Sequence, residues 1–407
     1  FAICDVTPII EQTIIGNRLT SFTIKSRREV DFRTAGFYIP EFRNKDLNTH
    51  PKNEELKQKY ISHMKYLFNT YGDLVDNGID VEDARFILPY SFHSNIIMGL
   101  NARELEKMVT SFLYGPLSKI SELKEFGEKL LSIIKEFVPY LEKSIESYSN
   151  YSNNPFDYME SLANRPKIKI ASKPVLISNT PNPDDVIIKS SIMYHFQCSE
   201  QEAKQIMEES EKIDPEYKAK SMNIILHKEE RRELEQVSFT FQIPISLSIL
   251  THLTRHRMHS LLIPEFTPLW DFNNFIIPAT IQAKSELKNI FINAQKENMK
   301  IFEEFKNSNV SDEDLIYFYL GCQMLNVVTT MNGRTLQWIL HLRCCNKAQW
   351  QIRNIAKELA KQVSSVAPLL GKGLGPTCMT DLVCYEGKEC CGLINSLLEN
   401  RTVEKIK

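Results

Sequence analysis

Glycine is scarce in this chain. Only 14 of 407 residues are glycine, about half the usual share of roughly 7%. Few glycines leave few tight turns, so the chain reads as helix-rich. Long apolar runs are missing too: none reaches the ~18 residues needed to cross a bilayer, and no membrane partner is expected. Neither charge dominates, with 49 Lys+Arg against 51 Asp+Glu and a net charge of -2. A dedicated duplex-DNA binder needs a net basic face, so no nucleic-acid partner is expected either. No secretory signal is visible, and the first residue is Phe rather than Met, so the start reads as trimmed upstream. Nine cysteines, an odd number with long cysteine-free stretches between them, fit a reducing, cytoplasmic setting better than a disulfide framework.

What is present is ordinary globular composition. A chain of 407 residues predicts two or three domains at about 100–200 residues each. Residues 1–43 read as strands and turns, with Ile9, Ile10, Ile14 and Ile15 near the start. Leu56, Tyr60, Met64 and Leu67 repeat at helical spacing within Asn53–Tyr71. Residues 101–113 and 117–148 predict further helices. Asn153, Asn154, Pro155, Pro166 and Pro174 break the pattern. The domain boundary is placed there, giving domains 1–165 and 170–407, the second with a Cys-rich tail from 371. Val175–Ser178 reads as a buried strand, Ser199 as a helix cap and Val237–Ile243 as a strand. Long helical patterns cover 279–306, 312–328, 335–342 and 347–366.

The halves resemble copies of one plan. Phe37-Tyr-Ile-Pro40 matches Phe275-Ile-Ile-Pro278, and Asn101-Ala-Arg103 matches Asn332-Gly-Arg334. Each Asn-x-Arg follows a predicted long helix and opens another.

Arg255-His256-Arg257 follows a strand-to-helix passage and makes a compact cationic site suited to a pyrophosphate or an anionic ring. Taken alone it is equally well a solvated basic turn. Downstream stand Asn332, Arg334, Arg343, Gln349 and Arg353. Guanidinium forks take phosphate and amide side chains take base edges, which is the donor set a nucleotide needs.

Val237-Ser-Phe-Thr-Phe, Arg255-His-Arg-x-x-Ser260, Asn332-x-Arg334 and Arg343-x4-Ala-Gln-Trp-x-Ile-Arg353 occur in that order. This set resembles the flavin-dependent thymidylate synthases over nearly all of 175–370, and a fainter copy covers 1–148. The resemblance implies a mixed α/β (α+β) fold of two fused units, each a curved, mainly antiparallel sheet flanked by long helices. It implies FAD as cofactor, NADPH and methylenetetrahydrofolate as co-substrates, and a homodimer of fused chains standing in for the family's tetramer. The implied reaction is reductive one-carbon transfer to C5 of a uridine nucleotide, dUMP or a close analogue. Arg255, His256, Arg257, Ser260, Asn332, Arg334, Asn101 and Arg103 are implied at the flavin.

The copies keep different parts of the family's substrate set. Ser26 and Arg28 match its serine and arginine in the first copy, where the second has Glu265 and Thr267. Arg85 has Ile316 as its counterpart, and Arg343 has Phe112. Joining Ser26, Arg28 and Arg85 to Arg343, Gln349 and Arg353 restores most of one substrate site. Ser26 and Arg343 are the implied catalytic residues. Gln236, His252 and Glu265 depart from the family pattern, which leaves two other readings: a flavin enzyme with a different nucleotide or metabolite substrate, or a non-catalytic flavin- or nucleotide-binding subunit.

The tail reads Cys378-x5-Cys384-x5-Cys390-Cys391-Gly392, after Cys344-Cys345 upstream. Thiolates at this density suit a closed, structural soft-metal site, either zinc or an iron-sulfur cluster. Cys345, Cys378, Cys384 and Cys391 are the expected ligands. The alternative is a set of free or buried thiols.

Overall fold

The computed structural model describes residues 1–148, 168–266 and 271–398. It is a mixed α/β fold, mainly helical, with two sheets whose described pairings include only antiparallel ones. Two compact units form, and neither is one continuous stretch. The first takes residues 1–170, 246–257 and 265–325; the second takes 171–245, 258–264 and 326–407.

The first unit holds β1 (Ala2–Val6), β2 (Thr20–Ile24) and β3 (Ser94–Leu100), in the order β1-β3-β2. Ser94, Ile96 and Met98 of β3 are buried while Asn95, Ile97 and Gly99 are exposed, the alternation of a sheet covered on one face. The isoleucines at 9, 10, 14 and 15 do not form a strand. They lie in the helix Pro8–Ile15, which Thr7 caps and which has Pro8 in its first turn. All four are buried, so no amphipathic stripe was available to mark the helix in the sequence.

The helix Asn53–Asp76 buries Leu56, Tyr60, Met64, Leu67, Tyr71 and Leu74, a stripe at spacings of three and four. It packs against Ser285–Asn307. Between them Phe42, Tyr60, Phe305 and Phe318 meet edge to face at centroid distances of 5.0–5.4 Å.

One order of elements occurs twice along the chain. A long helix, a short helix, a 3₁₀ turn and a strand follow one another at 53–100, and again at 285–332. Tyr90 N donates to Tyr319 O at 2.6 Å, and Gly321 N donates to Leu88 O at 3.0 Å. Leu88 to Tyr319 and Tyr90 to Gly321 are each the same 231-residue step along the chain, so the two bonds are mates. Likewise Tyr38 N bonds Ser91 O, and Ile276 N bonds Cys322 O. The crossing is close: a Cβ at Gly321 would meet Arg85 O at 2.7 Å. The helix expected over 312–328 is therefore wrong beyond its start. After Asp312–Leu315 the chain turns into a strand, where Val327, Val328, Thr329 and Thr330 favour pleated backbone.

Glu122 is buried in this unit and accepts hydrogen bonds from Thr7 N (3.0 Å), Thr7 Oγ1 (2.7 Å) and the Tyr317 hydroxyl (3.1 Å). Burial pushes its carboxyl up from 4.5 to about 7, against the pull of those donors. A raised carboxyl keeps its proton in the folded chain where the unfolded chain has lost it. The stabilisation from this group is thus complete below about pH 4.5 and lost as pH rises through about 7. Glu122→Gln is expected to remove about 3 kcal/mol of this pH dependence. Calorimetric unfolding of both proteins across that range checks it; parallel curves would contradict it.

The second unit holds β4 (Val175–Asn179), β5 (Ser238–Ser246), β6 (Ser260–Leu262) and β7 (Met324–Asn332), in the order β4-β5-β7-β6. Ser199 and Glu202 form a reciprocal capping box at the start of Glu200–Ile213. The helices Gly333–Arg343 and Trp350–Val366 pack on each other and present the remaining arginines. No helix among the described residues is long and apolar enough to cross a membrane.

Candidate nucleotide site and thiol cluster

Four arginines gather in the first unit. Arg27 is buried, pairs with the buried Glu11 carboxylate at 2.9 Å, and reaches Thr251 Oγ1 at 3.5 Å. Arg28 pairs with Glu82, and its backbone N–H donates to Ser26 Oγ at 3.2 Å. Arg85 is buried, donates from Nε to Glu82 O at 3.0 Å and lies 3.5 Å from His252 Nε2. Arg255 closes the helix Leu247–Thr254. Glu82 and Asp80 start the turn that carries Arg85, and Asp80 caps it.

The electrostatics of this cluster are one-sided. Desolvation, then repulsion from Arg27, lowers the pKa of Arg85 to about 9, with Glu82 opposing. Desolvation and then Arg27 lower that of Arg255 as well. Arg255 is also exposed, so water keeps it cationic. Like-charge crowding of this kind is relieved when an anion binds. Ser26, Arg28, Arg85 and Arg255 thus lie in one group in the first unit. Arg27, Glu11 and Thr251 were missed. Arg27 sits between Ser26 and Arg28 in the sequence, and nothing local marks it as the buried member.

Arg257 stands over the Phe22 ring at 5.3 Å, and His256 is half-buried. Asn101 is exposed, and its side-chain carbonyl accepts from Glu104 N, so it caps the helix Ala102–Tyr114. Arg103 is exposed. Glu265 is exposed, and Thr267 lies outside the described residues.

In the second unit, Asn332 caps Gly333–Arg343 by accepting from Thr335 N at 2.8 Å. Both Asn-x-Arg motifs therefore begin with a helix cap. Arg334 pairs with Glu235 at 2.6 Å. Arg343 ends its helix, half-buried. Gln349 caps Trp350–Val366 through Oε1, which accepts from Gln351 N at 2.6 Å and Ile352 N at 3.3 Å. Its buried Nε2 has no partner among the described residues. Arg353 donates to Asn346 O at 2.6 Å. Ser260 opens β6 at the surface. His227 lies at a helix end, bonded to Asn223 O.

The tail thiols also converge in the second unit. Cys345, Cys378, Cys384, Cys390 and Cys391 line one cavity of about 400 Å³, with the buried Cys344 beside them. All nine cysteines are free. The expected ready-made metal site is not present: among the described residues no three His, Cys, Asp or Glu side chains are placed to hold an ion.

A sequence model of the family described as "Thymidylate synthase complementing protein" matches residues 1–140 and 175–369. The chain belongs to that family. Thymidylate synthase complementing protein sequence thus occupies two segments of one chain, one on each side of residues 141–174. A flavin-dependent thymidylate synthase from Clostridium tetani is 32% identical over 237 residues, which span 53% of this chain and 92% of that protein. One from Geobacter sulfurreducens is 28% identical over 224 residues, 54% of this chain and 94% of that protein. Among solved structures, a UMP/dUMP methylase, PolB from Streptomyces cacaoi bound with 5-Br dUMP, overlays with a TM-score of 0.41 at 14% identity. That overlay covers 51% of this chain and 96% of that one.

Proposed function

We propose that the chain is a flavin-dependent enzyme of the thymidylate synthase type, adding a one-carbon unit to C5 of a uridine nucleotide, dUMP or a close analogue. The observation that carries the proposal is the arginine cluster of the first unit. Arg27, Arg28, Arg85 and Arg255 face the two paired carboxylates Glu11 and Glu82, which leaves positive charge for a phosphate. Ser26, Arg28 and Arg85 would hold the nucleotide phosphate, since guanidinium forks bind phosphate oxygens in pairs. Arg255, His256 and Arg257 fit the phosphates of FAD: all three have solvent access, and two carry a fixed positive charge. Bound flavin would supply the reducing equivalents. NADPH and methylenetetrahydrofolate are the co-substrates under this reading.

One observation favours a second reading. Arg334 is engaged by Glu235, and Glu265 stands exposed where the family carries its substrate serine. A different uridine nucleotide would then be the substrate. The test is the absorbance of the purified chain, followed by dTMP formation from dUMP with both co-substrates present. A flavin spectrum at one FAD per chain or fewer, and dTMP, are expected. Flavin with turnover of another uridine nucleotide supports the second reading. No flavin retained after FAD is added, with no dUMP binding, overturns both.

A further inference from the structure

Glu122 grips a single residue twice. Its two carboxyl oxygens accept three hydrogen bonds at 2.7–3.1 Å, and two of these come from Thr7, through its backbone N–H and its hydroxyl. Thr7 is the N-cap of the helix Pro8–Ile15. It also accepts: Thr7 Oγ1 takes a bond from Ile9 N at 3.3 Å, and Thr7 O takes one from Glu11 N at 3.2 Å. Thr7 is thus held by Glu122 on its donor side and holds Glu11 on its acceptor side.

Glu11 is where this grip meets the arginine cluster. Its carboxylate pairs with Arg27 at 2.9 Å and accepts from the Ser94 hydroxyl. Arg27 in turn reaches Thr251 Oγ1 at 3.5 Å, and its guanidinium stands 5.2 Å from the centre of the Phe92 ring. The path Glu122–Thr7–Glu11–Arg27–Thr251 is continuous, and all five residues are buried in the first unit. Arg27 then acts through its charge on Arg85 and Arg255. A satisfied buried polar network rigidifies what it joins. A helix of eight residues fixed at its cap has little freedom to roll, so the direction of Glu11 is set from Glu122.

We propose that Glu122 is a positioning residue for the nucleotide site: through the Thr7 cap it aims Glu11 at Arg27 and so sets the arginines around the phosphate, a role that rests on the nucleotide reading of that cluster. The form that does this is the carboxylate. Three donors on two oxygens make an acceptor-only pattern. A protonated carboxyl must give one of those positions to its own hydrogen. A contact to Thr7 or Tyr317 then turns round or is lost, and the hold on the cap loosens.

The surroundings place this change near neutral pH. Burial raises the Glu122 carboxyl to about 7, the Thr7 and Tyr317 donors pull it down, and Glu125 on the same helix pushes it up. The Tyr38 and Tyr317 rings lie 4.9 Å apart, and burial keeps both phenols protonated. Asp314 and Arg43, paired at 2.6 Å, act on Tyr38 with opposite signs. Glu122 is therefore the group in this set that changes charge as pH crosses about 7.

The test is calorimetric titration of the full chain with dUMP across about pH 5.5–8.5, for the parent and for Glu122→Gln, whose amide is a donor on one side as the protonated acid is. Dividing the two dissociation constants at each pH cancels the ionisation of dUMP itself. The ratio should be close to one at the acid end. At the alkaline end the variant should bind about 3- to 30-fold more weakly. Tyr317→Phe takes one donor from the carboxylate and leaves Thr7 alone, so the pH at which affinity changes should rise. It is the second measurement should Glu122→Gln fold poorly. A merely structural role would weaken binding equally at every pH. One readout needs no ligand: the Arg27–Glu11 coupling, from thermal unfolding of single and double variants, should shrink in the Glu122→Gln chain. A ratio flat with pH, or an undiminished coupling, overturns the proposal. No dUMP binding by the parent, with the coupling diminished, would overturn the functional reading while the placement of Glu11 by Glu122 stands.

Discussion

Replacing Arg28 with alanine is expected to weaken dUMP binding by about 10- to 100-fold, the worth of a charge-assisted hydrogen bond lost from a partly desolvated site. The half-buried Arg28 is joined by Arg85, whose own charge is crowded by Arg27 and Arg28. Removing Arg28 takes away a phosphate donor and relieves that crowding at once, so the protein should fold normally while binding weakens. Glu82→Gln should act in the opposite direction. It removes the carboxylate that pairs with Arg28 and lies 4.0 Å from Arg85, leaving more positive charge for the phosphate. Titration calorimetry with dUMP measures both variants. Equal affinities in Arg28→Ala, Glu82→Gln and the parent chain would remove the phosphate assignment.

The second large effect falls on stability. Arg27→Met leaves the Glu11 carboxylate buried without its cation. The Glu11 side chain is 0% exposed, and its other described partner is the Ser94 hydroxyl. Breaking a buried pair by removing one partner costs about 3–5 kcal/mol, because the remaining charge is uncompensated. Glu11→Gln in the same chain should restore most of the loss, since a neutral amide carries no such desolvation cost. Thermal unfolding of the two single variants and the double variant gives the coupling. Additive losses would show that the pair is not the source.

Much of this was legible in the sequence, and the limits have physical causes. The stripe Leu56, Tyr60, Met64 and Leu67 gave a helix that the structure runs to Asp76, because one face is core and the other solvent. The matched Phe-x-Ile-Pro segments each begin with a residue in an isolated β-bridge. Phe37 bridges Phe92, and Phe275 bridges Gln323, at corresponding places. The helix Pro8–Ile15 was not legible, because a short element buried all round shows no period. Ser26, Arg28 and Arg85 could be named from resemblance. Their cluster could not be completed, because Thr251, His252 and Arg255 arrive in the first unit from a separate, distant stretch of the chain. Local pattern holds no record of such an arrangement. The thiols were countable, but their convergence on one cavity depends on backbone direction.

The mated bonds of Tyr90 to Tyr319 and Gly321 to Leu88 have a consequence for behaviour in dilute solution. Two separate polypeptides crossing in this way would be held together by mass action and would part as they were diluted. Here both strands of the crossing belong to one covalent chain, so each half meets the other at a fixed effective concentration. The folding equilibrium of the first unit should therefore not shift with protein concentration. Each position at the crossing also exists once per molecule, so a substitution at Arg85 has no mirrored twin at Ile316. Inheritance can then alter one side of the crossing and leave the other untouched.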